Sequence, residues 1–265
     1  SENQASDVEA IHKRQSASGY KSSLIRGERE VNNYMKLLFP DWKAKGITSI
    51  LHEHQGGVAF SPDAAHGIVS KLEAHGVKII PGVEVTGFSR PNGHVTAIKT
   101  DRGTIETDQV VVAVGPWIKQ LWSLLGLPDK IDIRDSGGAL HHDQEMWTYW
   151  RLQEGKIIVD PKMFVTESGE TPPVIHIDSC EPLKSVFSGN VITNDSWGIY
   201  FKQDKDGVQG GAVPEDMGHD AIVDPYGPAS PYYIVDDKFV DYWTSGLAHC
   251  LRRFENARTW YNHTP

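Results

Sequence analysis

The stretch from Gly82 to Trp117 has the clearest pattern of apolar and polar positions in the chain, and it predicts three β-strands separated by two turns. Asn92-Gly93 supplies the first turn because both residues tolerate positive φ, and Asp101-Arg102-Gly103 supplies the second. The last strand is continuously apolar, which is typical of a strand buried on both faces of a layered sheet. An ordinary meander without a ligand has the same spacing. The three predicted strands are Val83–Phe88, His94–Thr100 and Gln109–Val114.

Apolar residues at helical spacing predict four helices along the chain. The second begins at Ser61-Pro62-Asp63, where a capping oxygen, a proline and an acidic residue all favour a helix start, and it ends at Gly76. Val77–Ile80 follows directly and predicts a strand. Residues 1–26 have no clear period, and residues 47–60 predict one or two short strands. The four predicted helices span residues 28–38, 61–76, 116–125 and 237–254.

From Ile131 to Ala212, short β-like segments follow one another without helices between them. This order predicts an antiparallel sheet that is distinct from the layered first part of the chain. Residues 214–235 are rich in Pro, Gly and Tyr and predict a long ordered loop. The β-like segments are Trp147–Leu152, Lys156–Val159, Val174–Ile177, Ile199–Lys202 and Val208–Val213.

Composition narrows the class of protein. The 265 residues can bury one large core or two smaller ones. A formal net charge of −9 argues against nucleic acid or an anionic membrane surface as a partner. No apolar run reaches the length of a membrane span, and no signal peptide is recognisable. Cys180 and Cys250 have no framework spacing, which favours a reduced, cytoplasmic setting.

Short motifs with a known chemical mechanism are scarce. The chain has neither the glycine pattern GxGxxG nor GxxxxGK[ST], and it has no GxSxG nucleophile elbow. His52-Glu53-His54 and His141-His142-Asp143 contain residue types that bind metals. Neither has the i, i+4 placement of a zinc protease helix, and a third ligand is not evident. Hydrogen-bonded histidines are the better interpretation, and no metal site is predicted.

Several segments together resemble the D-amino-acid-oxidase-type family of FAD-dependent oxidoreductases, which includes glycine oxidase and sarcosine oxidase. The resemblance covers residues 47–265, and its most specific part is GVEV…GPW within residues 82–117. The matching segments are GGVAFSPDAAHGIVSKLEAHGVKIIPGVEVTGF (56–88), TDRGTIETDQVVVAVGPW (100–117), LLGLP (124–128), SWGIYFKQDKDGVQGGAV (196–213) and ARTWYNHTP (257–265).

The resemblance implies an α+β fold, in which part of a layered, Rossmann-like FAD-binding domain is joined to an antiparallel substrate-binding domain. The family's N-terminal glycine fingerprint and C-terminal flavin loop have no counterpart here, so we expect an internal fragment that does not hold FAD tightly by itself. The rest of the parent chain is then an expected partner. The implied division is a helical segment (1–46), the middle of the FAD-binding domain (47–127), the substrate domain (128–235) and a returning helix (236–265).

The resemblance also implies residues that contact the cofactor. Val85 occupies a strand whose backbone faces the adenine of FAD, although the same residue can be simple sheet core. The corner that follows the apolar run lies beside the cofactor, where a glycine permits close backbone approach. A plain strand-to-helix turn explains the same corner. Its residues are Ala113, Val114, Gly115, Pro116 and Trp117.

On the substrate side, the segment GIYF matches the strand that carries an aromatic residue over the substrate. Alternation lets only one of Tyr200 and Phe201 face a pocket, and Tyr200 is preferred because its hydroxyl can bind a substrate carboxylate. Trp197 is a candidate pocket wall or, alternatively, a structural aromatic. Gln209 falls near the position of a lysine that helps oxygen react in the sarcosine-oxidase branch, which leaves room for a dehydrogenase.

The implied function is oxidation of a C–N bond in a small amine or amino acid to an imine, with FAD as the hydride acceptor. No protein base is required if the amine arrives neutral, so no catalytic acid–base residue is named. None of Arg134, Arg151, Arg252 and Arg253 can be assigned to a substrate carboxylate from the sequence. The alternative is a non-catalytic binding module derived from the same fold.

Overall fold

The computed structural model of the chain describes residues 2–146, 149–150, 154–172, 174–212, 219–220 and 235–262. Its helices are α1 (Ala5–Ala17), α2 (Glu28–Leu38), α3 (Ser61–Ala74), α4 (Ile118–Leu124) and α5 (Asp237–Cys250). Its strands are β1 (Ser22–Arg26), β2 (Ser49–Glu53), β3 (Val85–Ser89), β4 (Ala97–Thr100), β5 (Gly103–Glu106), β6 (Lys130–Arg134), β7 (Leu140–Glu145), β8 (Tyr149–Trp150), β9 (Glu154–Ile158), β10 (Ile175–Ser179), β11 (Leu183–Lys184), β12 (Val191–Thr193), β13 (Trp197–Asp204), β14 (Gly207–Ala212) and β15 (His219–Asp220).

The chain divides into two compact units. The first comprises Ser1–Ala59, Leu152–Glu215 and Pro231–Pro265, and the second comprises Phe60–Arg151 and Asp216–Ser230. Both combine helices with antiparallel strands, as the α+β prediction requires. The four-segment division expected from the sequence remains a prediction. Among the described residues, no helix combines the length and the hydropathy needed to cross a membrane.

The first unit is built on an antiparallel sheet with the strand order β10-β13-β14-β9, against which α5 packs. The predicted helix at residues 237–254 is confirmed as α5 followed by a short 3₁₀ turn, and Asp236 caps it by accepting a hydrogen bond from the Phe239 amide at 2.7 Å. Glycines allow the close packing of helix on sheet. A Cβ at Gly155 would lie 2.8–3.1 Å from three aromatic rings, those of Tyr261, Trp243 and Phe239.

The N-terminal part of this unit contains α1, α2 and the two-stranded sheet β1-β2. Helix α2 has the predicted bounds, with Val31 and Met35 buried in the core. Helix α1 was not predicted, because Ala5 is its single buried residue and an apolar stripe is therefore lacking. The strand β2 confirms one of the short strands expected between residues 47 and 60.

In the second unit, β3, β4 and β5 form the three-stranded sheet expected in residues 82–117, but its third strand is not the predicted one. The turn at Asn92-Gly93 is confirmed, with φ of 55° and 83°. Gln109–Val114 is not a strand, and Val111 is 89% exposed; Gly103–Glu106 takes the third place instead. The prediction was wrong because a strand inside a layered sheet needs adjacent strands to pair with and a packed layer over each of its two faces. None of the described residues pairs with this run.

The lack of a covering surface among the described residues also explains why the apolar residues of α3 and of the run that follows it are exposed. The helix has its predicted start, although its N-cap is Phe60 and no side chain caps it. Its expected apolar stripe is uncovered among the described residues, with Ile68 61% exposed. Val77–Ile80 was predicted as a strand and is irregular, exposed chain. Apolar patterning identifies residues suited to burial, whereas a partner surface decides whether they are buried.

Candidate functional site

The face of the four-stranded sheet that points away from α5 carries a cluster of polar side chains. Antiparallel register places Tyr200 of β13 opposite His176 of β10 on one side and opposite Gly211 of β14 on the other. Gly211 in turn lies opposite Glu154 of β9. Because residues directly opposite one another point to the same face, these residues form one row across the sheet. Gln209, two positions before Gly211, projects on the same side.

Tyr200 reaches across β14 to the far strand. Its ring lies over Gly211, since a Cβ built there would be 2.7 Å from Tyr200 Cε1 and 3.0 Å from the hydroxyl oxygen. The hydroxyl donates a hydrogen bond to Glu154 Oε1, and Gln209 Nε2 donates to Glu154 Oε2 at 3.0 Å. The absence of a side chain at Gly211 therefore makes the contact possible. We call Tyr200, Glu154, Gln209 and His176 the Tyr200 cluster.

Burial and the neighbouring Glu154 carboxylate both affect the pKa of Tyr200 in this cluster. Partial burial raises the pKa of the Tyr200 hydroxyl well above its usual range, and the hydrogen bond and negative charge of Glu154 raise it further. Lys156 lies two positions beyond Glu154 on the same face, but its ammonium pairs with Asp204 at 2.7 Å and with Asp206. Glu154 is exposed, and none of the lysines in the part of the chain that the structure describes is paired with it in this row.

The alternate residues of β13 face the opposite way. Phe201 is fully buried, with its ring centroid 5.6 Å from Phe164 and 6.2 Å from Phe254. Trp197, the expected pocket wall, is 2% exposed and donates from Nε1 to the Glu181 carbonyl at 2.6 Å. Trp197 thus belongs to the core, on the other side of the sheet from Tyr200. The structure brings Tyr200 and Gln209 together and separates Trp197 from both.

Two members of the cluster, Glu154 and His176, were missed by sequence reasoning. The His176 ring lies beside that of Tyr200, with centroids 5.5 Å apart and planes tilted by 31°. Glu154 comes from the first position of a strand about 46 residues before Tyr200. Neither residue belongs to a motif, so only the strand register could have identified it.

Contacts between α5 and the buried face of the sheet hold the strand that carries Tyr200 in place. Trp243 of α5 donates from Nε1 to the backbone carbonyl of Tyr200 at 3.2 Å. Gly246, one turn further along α5, allows the helix to approach Ile199, whose Cγ2 would be 2.9 Å from an added Cβ. The backbone of β13 is therefore fixed from the buried side, while the Tyr200 side chain is held by Glu154 on the other.

The residues expected to contact the cofactor lie in the second unit. Val85 is half-buried and pairs with Thr100 at an irregular point of β3. Ala113 and Val114 lie in irregular chain that leads into a 3₁₀ turn, Gly115–Trp117. Pro116 lies within this turn and Trp117 is 42% exposed.

Gly115 is the residue of this corner whose identity the backbone requires. Its φ of 56° favours glycine, and a Cβ there would meet nothing within 4 Å. The space beside Gly115 is open, so its backbone is accessible to another group. This corner does not provide a binding site for the pyrophosphate of FAD. The chain has no glycine fingerprint, and α4, the helix that follows the corner, has only seven residues. The described residues therefore fit only part of FAD.

The histidine pairs considered for metal binding take part in hydrogen bonds. His52 Nδ1 is 2.6 Å from the Tyr34 hydroxyl, and burial followed by the neighbouring His54 lowers the pKa of His52. His141 and His142 lie 2.9 Å and 2.8 Å from aspartate oxygens on the β6–β7 hairpin. No group of three metal-binding side chains is found among the described residues.

Arg253, whose role the sequence left open, is a structural residue. Its guanidinium donates to both oxygens of Asp41, with Nε 2.9 Å from each, and Nη1 donates to the carbonyls of Met163 and Val165 at 3.0 and 3.3 Å. These hydrogen bonds join the 3₁₀ turn Arg252–Phe254, which follows α5, to the loops that carry Asp41 and Met163. Arg151 lies outside the described residues.

This combination of an antiparallel sheet with a polar outer face and a second unit with an open glycine corner is compatible with a flavin-dependent oxidoreductase fold. A sequence profile of the family "FAD dependent oxidoreductase" matches residues 1–261. The chain belongs to this family, whose cofactor is FAD. The resemblance stated from the sequence is confirmed, as is the fold class.

Known structures share the fold. L-proline dehydrogenase from P. horikoshii matches 94% of this chain with a TM-score of 0.54 and 16% identity, over 62% of its own length. Glycine oxidase from Bacillus cereus matches 99% of the chain with a TM-score of 0.52 and 14% identity, over 55% of its length. Glycine oxidase from Geobacillus kaustophilus matches 97%, with the same TM-score and identity, over 54% of its length.

One curated relative has higher local identity. The bifunctional protein ThiO/ThiG of Synechocystis sp. is 42% identical over 55 residues, which are 21% of this chain and 8% of that protein. The chain therefore spans less than two thirds of each of these relatives.

Proposed function

We propose that this chain provides the substrate-binding sheet and part of the cofactor-binding surface of an enzyme that oxidises the C–N bond of a small amine or amino acid. When bound, FAD supplies the hydride acceptor, and the amine becomes an imine that hydrolyses in water. The chain's own residues bind and orient the substrate so that its C–H bond can react. A cytoplasmic location accompanies this proposal.

The observation that carries the proposal is the Tyr200 cluster within a chain of this family. Tyr200, Glu154 and Gln209 come from three adjacent strands and are joined by hydrogen bonds on an exposed sheet face. A rigid polar group of this kind, backed by a buried aromatic core, is suited to binding a small polar molecule. The neighbouring structures are described as acting on proline or glycine, both small amino acids.

Cofactor contact is proposed for Val85 and for residues 113–117. Gly115 is the most informative of these, because its positive φ makes any other residue strained there, although an added Cβ would meet nothing within 4 Å. A Gly115→Ala variant is expected to weaken FAD binding, while Gly67→Ala, at an open helical position in the same unit, leaves it unchanged.

The test begins with the flavin and then turns to the substrate. The whole protein encoded at the locus is purified alongside the 265-residue chain, both are incubated with FAD, and unbound flavin is removed. Flavin absorption bands that persist support the proposal. Glycine and L-proline are then added without oxygen, and bleaching of the flavin bands shows oxidation of the amine. Re-oxidation by air separates an oxidase from a dehydrogenase.

A non-catalytic binding module is the second candidate. The lack of a phosphate-binding glycine fingerprint anywhere in the sequence favours it for the 265 residues taken alone. If the whole protein shows no flavin bands after incubation with FAD, the enzymatic proposal is wrong and this candidate replaces it.

A further inference from the structure

We propose that His52 and His54 form a binding site for one divalent transition-metal ion of the zinc and copper class. His52 lies in β2 and His54 directly follows that strand. Residues two positions apart in extended chain project to the same side, so the two rings are neighbours on one face of the β1-β2 sheet. The site lies in the first unit and shares no residue with the Tyr200 cluster.

The separation of the two rings suits a shared ion. Their centroids are 4.5 Å apart, and their planes are tilted by 38°. Zn–N bonds are about 2.0–2.1 Å long, so two imidazoles on one ion, at an angle between square and tetrahedral, have their centroids about 4.5–5 Å apart. The observed distance is at the lower end of this range.

Each imidazole has one nitrogen in a hydrogen bond and the other available. His52 Nδ1 is 2.6 Å from the Tyr34 hydroxyl, and His54 Nε2 is 2.7 Å from Ser23 Oγ. A hydroxyl oxygen accepts as well as donates, so both rings can carry their proton on the bonded nitrogen. The opposite nitrogens, which form no hydrogen bond within the described part of the chain, then present lone pairs. Metal-binding histidines commonly have their second nitrogen fixed in this way.

The surrounding structure supports the pair and leaves it open to water. The strands β1 and β2 are paired in register, with Ser23 opposite His52. Ile25 and Ile50, on the same two strands, pack against the hydrophobic core. His52 is half-buried and His54 is exposed, so an ion can enter from solvent.

The ligand type selects the ion. Imidazole nitrogen suits Zn²⁺, Cu²⁺ and Ni²⁺, whereas Mg²⁺ and Ca²⁺ prefer oxygen ligands. No third metal-binding side chain joins the pair among the described residues, so water would complete the coordination of the ion. We therefore expect weaker binding than at a structural zinc site with four protein ligands.

The test measures Zn²⁺ binding to the 265-residue chain, purified without a histidine tag, by calorimetric titration at neutral pH. NMR of ¹⁵N-labelled histidine rings locates the ion. We expect one saturable equivalent of Zn²⁺, with shifts of the His52 and His54 ring signals. Mg²⁺ at the same concentrations should cause neither the heat nor the shifts.

Variants separate the metal ligands from the residues that orient them. Tyr34→Phe and Ser23→Ala keep both imidazoles and remove one hydroxyl each, and the loss of such a partner should weaken Zn²⁺ binding about tenfold. His52→Gln and His54→Gln each leave a single imidazole, so they should weaken binding by more than the loss of either hydroxyl.

His12→Gln is the matched control. His12 Nδ1 is 3.0 Å from Ser22 Oγ, and Ser22 projects from the opposite face of β1 to Ser23, so this variant should bind Zn²⁺ like the native chain. Circular dichroism establishes that each variant is folded, and His54→Gln, at an exposed position, decides the matter if a change at a more buried residue prevents folding.

Three results overturn the inference: no saturable Zn²⁺ binding by the native chain, shifts confined to other histidines, or native affinity in His54→Gln. These measurements use neither flavin nor amine. Failure of the metal site therefore leaves the proposed oxidation of an amine untouched, and a protein without flavin bands could still bind Zn²⁺ at this pair.

Discussion

Replacement of Gly211 by alanine tests the arrangement on which the candidate site depends. The added Cβ would lie 2.7 Å from Tyr200 Cε1, whereas carbon atoms in contact are normally about 3.5–4.0 Å apart. The ring would have to move by about 1 Å to restore that separation. Because the ring is attached to a strand held by Trp243, the displacement falls on the exposed hydroxyl end. The hydrogen bond to Glu154 is then broken or lengthened.

The free energy of unfolding alone does not reveal this change. A hydrogen bond to a charged group is worth about 1.5–3 kcal/mol, and partial exposure of Tyr200 reduces this to about 1 kcal/mol. Replacing glycine by alanine in a strand increases the free energy of unfolding by about 0.5–1 kcal/mol, because it lowers the entropy of the unfolded chain. The two effects nearly cancel, so the expected net change is only about 0–1 kcal/mol.

The pKa of Tyr200 is the sensitive quantity. In the native protein, burial and then Glu154 raise it, so folding favours the neutral phenol. The stability from this preference is fully present below the ordinary pKa of 10.0 and is lost as the pH rises through the higher folded value. In Gly211→Ala, the pKa should fall towards 10.0, with a correspondingly smaller loss of stability above that pH.

Ultraviolet titration of the phenols measures this, with Tyr200→Phe subtracted to isolate one residue. Gly57→Ala, at an open position of the same unit with no left-handed φ, is the matched control and should titrate like the native protein. A Tyr200 titration that is identical in Gly211→Ala and the native protein would show that the ring does not lie over Gly211. The geometry of the cluster would then be wrong.

Three further variants test the scaffold. Asp41→Asn should lower the free energy of unfolding by about 2 kcal/mol in urea melts, because Arg253 loses its carboxylate partner. Burial acts to raise the pKa of Asp41, but its hydrogen bonds to Arg253 lower the pKa overall. The native protein should therefore lose stability as the pH falls below 3.8, and the Asp41→Asn variant should lose less. Equal acid sensitivity of the two proteins would contradict this. Gly67→Ala, at an open helical position, should gain about 0.5–1 kcal/mol in thermal melts, and a loss would indicate a covered site. Phe201→Ala should lose about 3–5 kcal/mol by removing a fully buried ring, and a loss below 1 kcal/mol would contradict its place in the core.

Local patterns predicted those elements whose partners are close in sequence or whose signals are strong. Helix α2 has the predicted bounds, because its apolar spacing matches a face that is buried. The turn at Asn92-Gly93 formed as expected, since residues that tolerate positive φ determine it locally. Helix α1 escaped prediction because it buries almost nothing.

Predictions failed where burial depends on a surface that the local sequence does not supply. Gln109–Val114 and Val77–Ile80 are apolar enough for buried strands, yet neither forms a strand pair with any of the described residues. A strand is defined by hydrogen bonds to its neighbours, and composition cannot specify which neighbours are present. For this reason, Gly103–Glu106 replaced the apolar run as the third strand of its sheet.

The sequence by itself determined the family and the α+β class. It also predicted that Tyr200 rather than Phe201 faces outward, because alternation along a strand lets only one of the two face a pocket and the tyrosine hydroxyl can bind a ligand. It also placed Gln209 on the strand next to Tyr200. Only the tertiary structure showed that Glu154, which precedes Tyr200 by 46 positions, contacts Tyr200, and that Trp197 lies on the core face of the sheet. The physical reason is register: which side chains meet across a sheet depends on how its strands align, and a missing side chain at Gly211 decided what Tyr200 could reach.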